Sequence, residues 1–353
     1  MEILLEEYYK SDFSHEKFVP RKLFLEQKSY QICGITQSGK TKLVKSYLST
    51  LKKKSYLYID CNDIRINIEA LNATLSGFCL ANKIQTLVLD NYKEEISFVN
   101  VAQLIIITQT PLQTPLEIIW VNPLDYEEFL AYEFKYDSST LNHYLQQGSL
   151  PVMHTLELQE RTIYLQQKLQ MALDPVEFAL LTFIAQQNTT QLSPFSIYQR
   201  LKQKQRISKD KTYQAYKQLL QKRYIYEVEK FLHKKATKNL YLGDIYFKTA
   251  LSMEKHFGRL FENMIFLELI KQGRIPTYSD GIEFYLEEED EIIFCKPFAD
   301  ERRLFQKLES IEAFIFSYAV KKITVVTMNK EASISHPLSK VEMVPFDIWA
   351  LRD

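Results

Sequence analysis

Along the first third of the chain the apolar residues arrive in short, nearly unbroken runs. Residues 29–33, 55–60, 84–90 and 103–109 are such runs, and stretches with helical spacing separate them. Continuous apolar runs of this length predict a parallel sheet covered on both faces. Between the first two runs, Leu43, Val44, Tyr47 and Leu48 recur at helical spacing over residues 41–48, which predicts a helix. A further helical pattern (Leu4, Leu5, Tyr8, Tyr9) opens the chain, and a polar approach to the first strand follows it.

The middle of the chain changes rhythm. Residues 176–184 form a strongly apolar helical segment, and helices are expected over 194–204 and 209–222, with Ser193 and Ser208 as N-caps. In the last of these Tyr213, Tyr216, Leu219 and Leu220 are expected to face inward. Two strand-like runs, 224–231 and 238–242, are joined by the basic stretch 233–238. Three helices and a basic hairpin describe a winged helix-turn-helix. Beyond it, 256–269 reads as a helix containing Glu262, 287–291 as a solvated acidic hairpin tip, 311–321 as an apolar helix and 323–327 as a core strand.

Composition narrows the classes. At 353 residues, 46% hydrophobic and 25% charged, the chain can build two or three packed domains, and wholesale disorder is excluded. Its four cysteines show no C-x-x-C spacing and its six histidines no metal-ligand pairing. No run approaches the roughly 18 apolar residues of a membrane span. The acidic start lacks the marks of a signal peptide. A reduced, cytoplasmic protein without membrane association is the expectation. The zero net charge hides a segregation: residues 200–238 hold 13 Lys and Arg against only Asp210, Glu227 and Glu229. Lys209, Lys211, Gln214 and Lys217 would face out from the third helix of this region, and Lys234, Lys235 and Lys238 would line the wing. Double-stranded DNA suits such a face, since each cation that meets a phosphate releases a counterion. A solvated surface, or a docking surface for an acidic segment or protein partner, would look the same in sequence.

The sharpest chemistry lies after the first apolar run. Gly34, Ile35, Thr36, Gln37, Ser38, Gly39, Lys40 and Thr41, followed by Lys42, fit G-x-x-x-x-G-K-[ST] at every fixed position. In that pattern the glycines let backbone N–H groups turn inward on phosphate oxygens, the lysine reaches the terminal phosphates, and the hydroxyl holds Mg²⁺. Only 8 glycines occur in the whole chain, and two fall at the required places. Asp90 ends the third run, where a carboxylate can share the Mg²⁺ of Thr41. Thr108 ends the fourth, as a candidate to orient the γ-phosphate or the attacking water. Asn91 follows Asp90, and the acids Glu94 and Glu95 come later, with the look of solvated helix charges. No arginine lies between Thr108 and Phe129.

The whole resembles the prokaryotic AAA-type ATPases that join a P-loop domain to a C-terminal nuclease-like domain. Trp120-Val-Asn-Pro-Leu-Asp-Tyr-Glu-Glu-Phe129 is similar to that family's L-x-P-L-S-F-x-E-F phrase, and Gly148-Ser-Leu-Pro151 to its G-G-x-P phrase. The family's glycine–arginine pair before the first phrase is missing. The helix around Glu262 is similar to the G-x-x-x-E-N helix that opens the family's restriction-endonuclease-like domain. By that resemblance Glu262, Glu283 and Lys296 fall at metal-site positions, while Phe294 stands where a further acid belongs. The resemblance implies ATP as the nucleotide, and oligomerisation through a trans-acting arginine, for which Arg161, Arg200 and Arg206 are candidates. It implies an α/β fold: a P-loop NTPase parallel sheet with helical lid (1–172), a winged helix-turn-helix (173–243) and a small α/β, degenerate nuclease-like domain (244–353). Three functions fit, in this order: a slow Mg²⁺-dependent ATPase, a nucleotide-gated binding module, and a metal-dependent nuclease.

Overall fold

The structure, a computed structural model, describes residues 1–133, 139–203, 206–254 and 256–352. It divides into two compact units, Met1–Pro123 and Leu124–Asp353.

In the first unit the chain runs α1 (Glu2–Tyr9), β1 (Tyr30–Cys33), α2 (Lys40–Ser49), β2 (Tyr56–Asp60), α3 (Ile68–Ala81), β3 (Thr86–Asp90), β4 (Gln103–Ile107) and β5 (Glu117–Trp120). All five strands are parallel, in the order β2-β3-β4-β1-β5. Alternate residues serve opposite faces. Leu57, Ile59, Leu87, Leu89, Leu104 and Ile106 pack with Leu71, Leu75 and Phe78 of α3. Ile32, Tyr56, Tyr58, Val88, Ile105 and Ile107 pack with Leu43, Val44 and Leu48 of α2. Burial on both faces is why these strands read as continuous apolar runs. This is an α/β unit built on a five-stranded parallel sheet. β5 is an addition to the expected strands: it is four residues long, with Ile118, Ile119 and Trp120 exposed or half-exposed at the sheet edge. From β1 the chain crosses to the β2 side of the sheet, and β5 later arrives on the other side. Strand order therefore reverses at β1, which places a ligand crevice at its carboxyl end.

The second unit begins with α4 (Tyr126–Glu133), α5 (Thr140–Gln147), a 3-10 turn at Pro151–Thr155 and α6 (Leu158–Ala172). The expected division at 172/173 thus does not coincide with the division between compact units. The reason lies in packing: Phe129, Leu141, Tyr144 and Leu145 share a core with Phe261, Ile265, Phe284, Phe346 and Trp349. The Gly148–Pro151 phrase is held by Asp244, whose carboxylate accepts from the Ser149 N–H (2.9 Å) and hydroxyl (2.6 Å).

Next come α7 (Pro175–Gln186), β6 (Gln191–Leu192), α8 (Pro194–Lys202), α9 (Lys209–Gln221), β7 (Ile225–Val228) and β8 (Lys238–Leu242). The strands form an antiparallel sheet in the order β6-β8-β7. Ser193 and Ser208 cap α8 and α9 by accepting from Ser196 N and Lys211 N. Lys204, the expected last residue of α8, lies outside the described residues. Tyr213 corrects the inward set: Tyr216 and Leu219 are buried, but Tyr213 is 39% exposed. Beneath the helices, Lys222 donates to both carboxylate oxygens of the buried Glu177, at 2.6 and 2.8 Å. That pair ties α7 to the end of α9.

The remainder holds α10 (Tyr246–Leu251), α11 (Phe257–Lys271), β9 (Thr277–Ser279), β10 (Ile282–Leu286), β11 (Glu291–Cys295), α12 (Glu301–Ser310), α13 (Glu312–Ser317), β12 (Lys322–Thr327), β13 (Ala332–Ile334), β14 (Lys340–Pro345) and α14 (Phe346–Ala350). Its six-stranded sheet, β13-β14-β12-β11-β10-β9, has a parallel centre of β11, β12 and β14. Two expectations change here. The helix expected over 311–321 is only α13, because Ala319 turns left-handed (φ 48°) and ends it. The acidic tip loses its last member: Glu291 is buried in β11 and pairs with Arg274 (2.6 Å) and Lys322 (3.1 Å). Among the described residues no helix is long and apolar enough to cross a membrane.

Candidate functional site

The loop between β1 and α2 is shaped by positions that only certain residues fill. A Cβ on Gly34 (φ +153°) would lie 2.4 Å from the Val121 carbonyl oxygen, so the loop can pass the end of β5 only with glycine there. Gly39 (φ 97°) and Gln37 (φ 63°) take left-handed turns that curl the loop. Arg21, which sequence reasoning passed over, pins this curl by donating to the carbonyls of Ser38 (3.1 Å) and Asn122 (2.9 Å).

Inside the curl, the Lys40 ammonium donates to the carbonyls of Gly34 and Ile35, both at 2.8 Å. Burial of the ammonium lowers its pKa to about 8, and Asp90 only partly offsets the effect. The Ser38 hydroxyl is buried without a hydrogen-bond partner. A desolvated cation and an orphaned hydroxyl inside a glycine-dependent curl together fit a phosphate group. Lys42 does not join them: it points outward to Glu16 (3.3 Å) and over the Phe18 ring (5.7 Å).

Thr41 and Asp90 meet directly, the Thr41 hydroxyl donating to Asp90 Oδ2 at 2.6 Å. Tyr58 from β2 donates to the same oxygen at 2.6 Å, and Asn91 N–H to Oδ1 at 2.8 Å. Burial beside Asp90 pushes the Tyr58 phenol far above its usual range. It therefore remains a donor that holds the carboxylate still. One hydroxyl and one carboxylate are hard oxygen donors, enough for a Mg²⁺ that takes its remaining ligands from phosphate and water. Among the described residues no group of three or more His, Cys, Asp or Glu could hold a metal ion.

Asp60 was also missed. In the parallel register Asp60 lies directly beside Asp90, and its Oδ1 accepts from the Asn91 side chain at 2.9 Å. Part of the signal lay in the sequence, since each strand is an apolar run that ends on Asp (Tyr56–Asp60 and Thr86–Asp90). Asn91 itself is turned into the left-handed region (φ 53°) and carries no base. Glu94 and Glu95 are exposed in a turn rather than on a helix. At the end of β4 the Thr108 hydroxyl donates to the Thr110 carbonyl (2.8 Å) and lies 3.4 Å from Cys33 Sγ.

In the second unit Lys209, Lys211, Gln214 and Lys217 are exposed on α9, and Lys234 and Lys235 on the β7–β8 turn. Lys238 is a correction to the expected wing: it pairs with Glu229 at 2.6 Å. Lys222 and Lys230 are likewise engaged, by Glu177 and Asp280. Of the candidate arginines, Arg161 donates to the Leu156 carbonyl (3.1 Å), while Arg200 and Arg206 are exposed.

Glu262, Glu283 and Lys296 come within electrostatic reach of one another. Burial of its carboxyl raises the Glu262 pKa to about 7, against the pull of a hydrogen bond from Tyr241 (2.8 Å) and of Lys296. Lys296 pairs with Glu283, whose other oxygen is buried without a partner. Phe294 is wholly buried in a core with Leu304 and Leu308, so no acid completes the set from that position.

No protein-family model matches the chain, and no curated protein does. Among solved structures it is similar to the Walker-type ATPase PABY2304 of Pyrococcus abyssi, with 12% identity and a TM-score of 0.42 over 64% of this chain and 91% of that one. It is also similar to the ORC1 protein of Aeropyrum pernix, solved in complex with DNA, with 12% identity and a TM-score of 0.28 over 65% and 87% of the two chains. Superpositions this loose leave the site to be read from the chain's own residues.

Proposed function

We propose that this chain is an ATP-binding protein, a slow Mg²⁺-dependent ATPase whose nucleotide state governs the engagement of nucleic acid or a protein partner by its second unit. The observation that carries the reading is the phosphate loop: a desolvated Lys40 inside a glycine-dependent curl, with Thr41 and Asp90 joined at its edge. In this reading Lys40 neutralises the terminal phosphates and Thr41 with Asp90 holds Mg²⁺. Bound there, the ion supplies charge neutralisation of the phosphates. Asp60, beside Asp90, is the carboxylate placed to accept a proton from attacking water, and Thr108 helps to orient the far phosphate. The choice of ATP rests on the family resemblance.

The succession α7, β6, α8, α9, β7, β8 supports a winged helix-turn-helix. The sheet that follows α11 supports a nuclease-like domain stripped of one acid at Phe294, and that argues against cutting. Asn91, where hydrolysing relatives of the resembled family carry glutamate, favours a second reading in which nucleotide is bound and released without turnover. Steady-state ATP hydrolysis by wild type and Lys40→Ala, with and without double-stranded DNA, separates the two. Turnover that DNA stimulates and Lys40→Ala abolishes supports the first reading. Tight binding with no turnover under any condition supports the second.

A further inference from the structure

Across α8 and α9 the exposed surface alternates rings and lysines. Tyr198 and Phe195 lie on one face of α8 with ring centroids 6.4 Å apart. Lys202 Nζ is 5.7 Å from the centre of the Tyr198 ring. Lys209 Nζ, at the start of α9, is 5.7 Å from the Phe195 ring and 5.5 Å from that of Tyr213. The row therefore runs Lys202, Tyr198, Phe195, Lys209, Tyr213 without interruption.

Tyr198 is half-buried, and packing does not account for the other two rings. Phe195 is 46% and Tyr213 39% exposed, although the buried side of α9 is already filled by Tyr216 and Leu219. Single exposed rings are ordinary; a contiguous set threaded with cations is not. The charge is one-sided as well, since residues 194–222 contain eight Lys and Arg and only Asp210 as an acid. Duplex DNA offers phosphates to such a surface but hides the faces of its bases inside the stack. A strand with unpaired bases offers both, and every base has a face that can lie on an aromatic ring.

We infer that the α8–α9 face takes single-stranded nucleic acid, its bases stacked on Phe195, Tyr198 and Tyr213 and its phosphates met by Lys202 and Lys209. This rests on the reading above that the second unit engages nucleic acid, and it names the strandedness. Proximity of each ring to a lysine lets one nucleotide satisfy both partners at once.

The test is fluorescence anisotropy with the full chain, with and without Mg-ATP. Four labelled ligands of equal length serve: oligothymidine, oligouridine, a mixed-sequence duplex, and a strand of abasic sugars with the same phosphates. Oligothymidine is expected to bind at least about tenfold tighter than the abasic strand, since stacking on one ring is worth about 5- to 150-fold. Phe195→Ala and Tyr213→Ala should each cost about tenfold on oligothymidine and nothing on the abasic strand. Lys209→Gln should weaken both and flatten the salt slope by about 0.7. A preference between oligothymidine and oligouridine, each bound tighter than the abasic strand, would support the inference and show that the face reads the 2′ position or the thymine methyl. Equal binding of the abasic strand overturns it, because phosphate contact alone then suffices. Preference for the duplex also overturns it while leaving nucleic-acid binding intact. Binding to none of the four overturns both and assigns the surface to a protein partner. The abasic comparison uses the unaltered protein, so it does not depend on how the variants fold.

Discussion

Under the proposed function, Lys40 ties nucleotide affinity to pH. Burial strips water from its ammonium and lowers the pKa to about 8, with the Gly34 and Ile35 carbonyls as hydrogen-bond partners and Asp90 only partly offsetting the shift. A phosphate in the loop adds negative charge and raises that pKa. A group whose pKa rises on binding favours the complex while it is protonated, and the advantage is lost as pH climbs past the value in the free protein. At pH 7 about nine-tenths of the empty sites carry the proton, and at pH 9 about one-tenth do. Nucleotide affinity should therefore be nearly flat below pH 7 and fall about tenfold between pH 7 and 9, a loss of about 1.4 kcal/mol. Titration calorimetry at pH 8 should show uptake of about half a proton, seen as an enthalpy that changes with buffer. Lys40→Arg, charged throughout, should bind with no such slope. Stability of the empty protein moves the other way: the unfolded chain holds the Lys40 proton more tightly, so the folded form gains as pH rises above about 8. A flat affinity from pH 7 to 9, or an equal slope in Lys40→Arg, would refute the reasoning.

Other outcomes follow from the remaining sites. Asp60→Asn should leave ATP affinity within about threefold while lowering turnover about 100-fold or more, the usual range for losing a general base; unchanged turnover, measured by phosphate release, would remove Asp60 from the chemistry. Lys222→Met should destabilise the second unit by about 3–5 kcal/mol, because Glu177 is then left buried and unpaired, and denaturant unfolding would show it. Glu262, with its pKa raised to about 7, makes the fold lose stability as pH rises from about 4.5 to 7. Glu262→Gln should remove that part of the slope, and a thermal-unfolding series across this window would check it.

What sequence could and could not reveal follows from how far each signal travels along the chain. The phosphate loop, its flanking strand and helix, and Asp90 were legible because spacing and local apolar runs encode them. β5 was not, since the strand holds only three apolar residues (Ile118, Ile119 and Trp120) and it joins the sheet at an edge, beside β1, far back in the chain. Lys238 looked like a free wing cation until Glu229 was seen opposite it. Glu291 looked like part of a solvated tip until Arg274 and Lys322 enclosed it. Asp60 ends an apolar run as Asp90 does, but its place beside Asp90 comes from the parallel pairing. The helices after Pro123 read as a lid, yet their apolar faces are satisfied by Phe261 and Phe346, far along the chain. Tyr213 fitted an inward helical spacing, and the burial of its neighbours turned it outward. All but Tyr213 depend on a partner outside their own element, which periodicity does not see.

The most direct test of the central claim is equilibrium binding of Mg-ATP to wild type and to Lys40→Ala at pH 7. Removing a desolvated cation from its phosphate costs at least about 2 kcal/mol, so affinity should fall by at least about 30-fold. Equal affinity in the two proteins would contradict the account, because the loop between β1 and α2 would then not be where nucleotide binds.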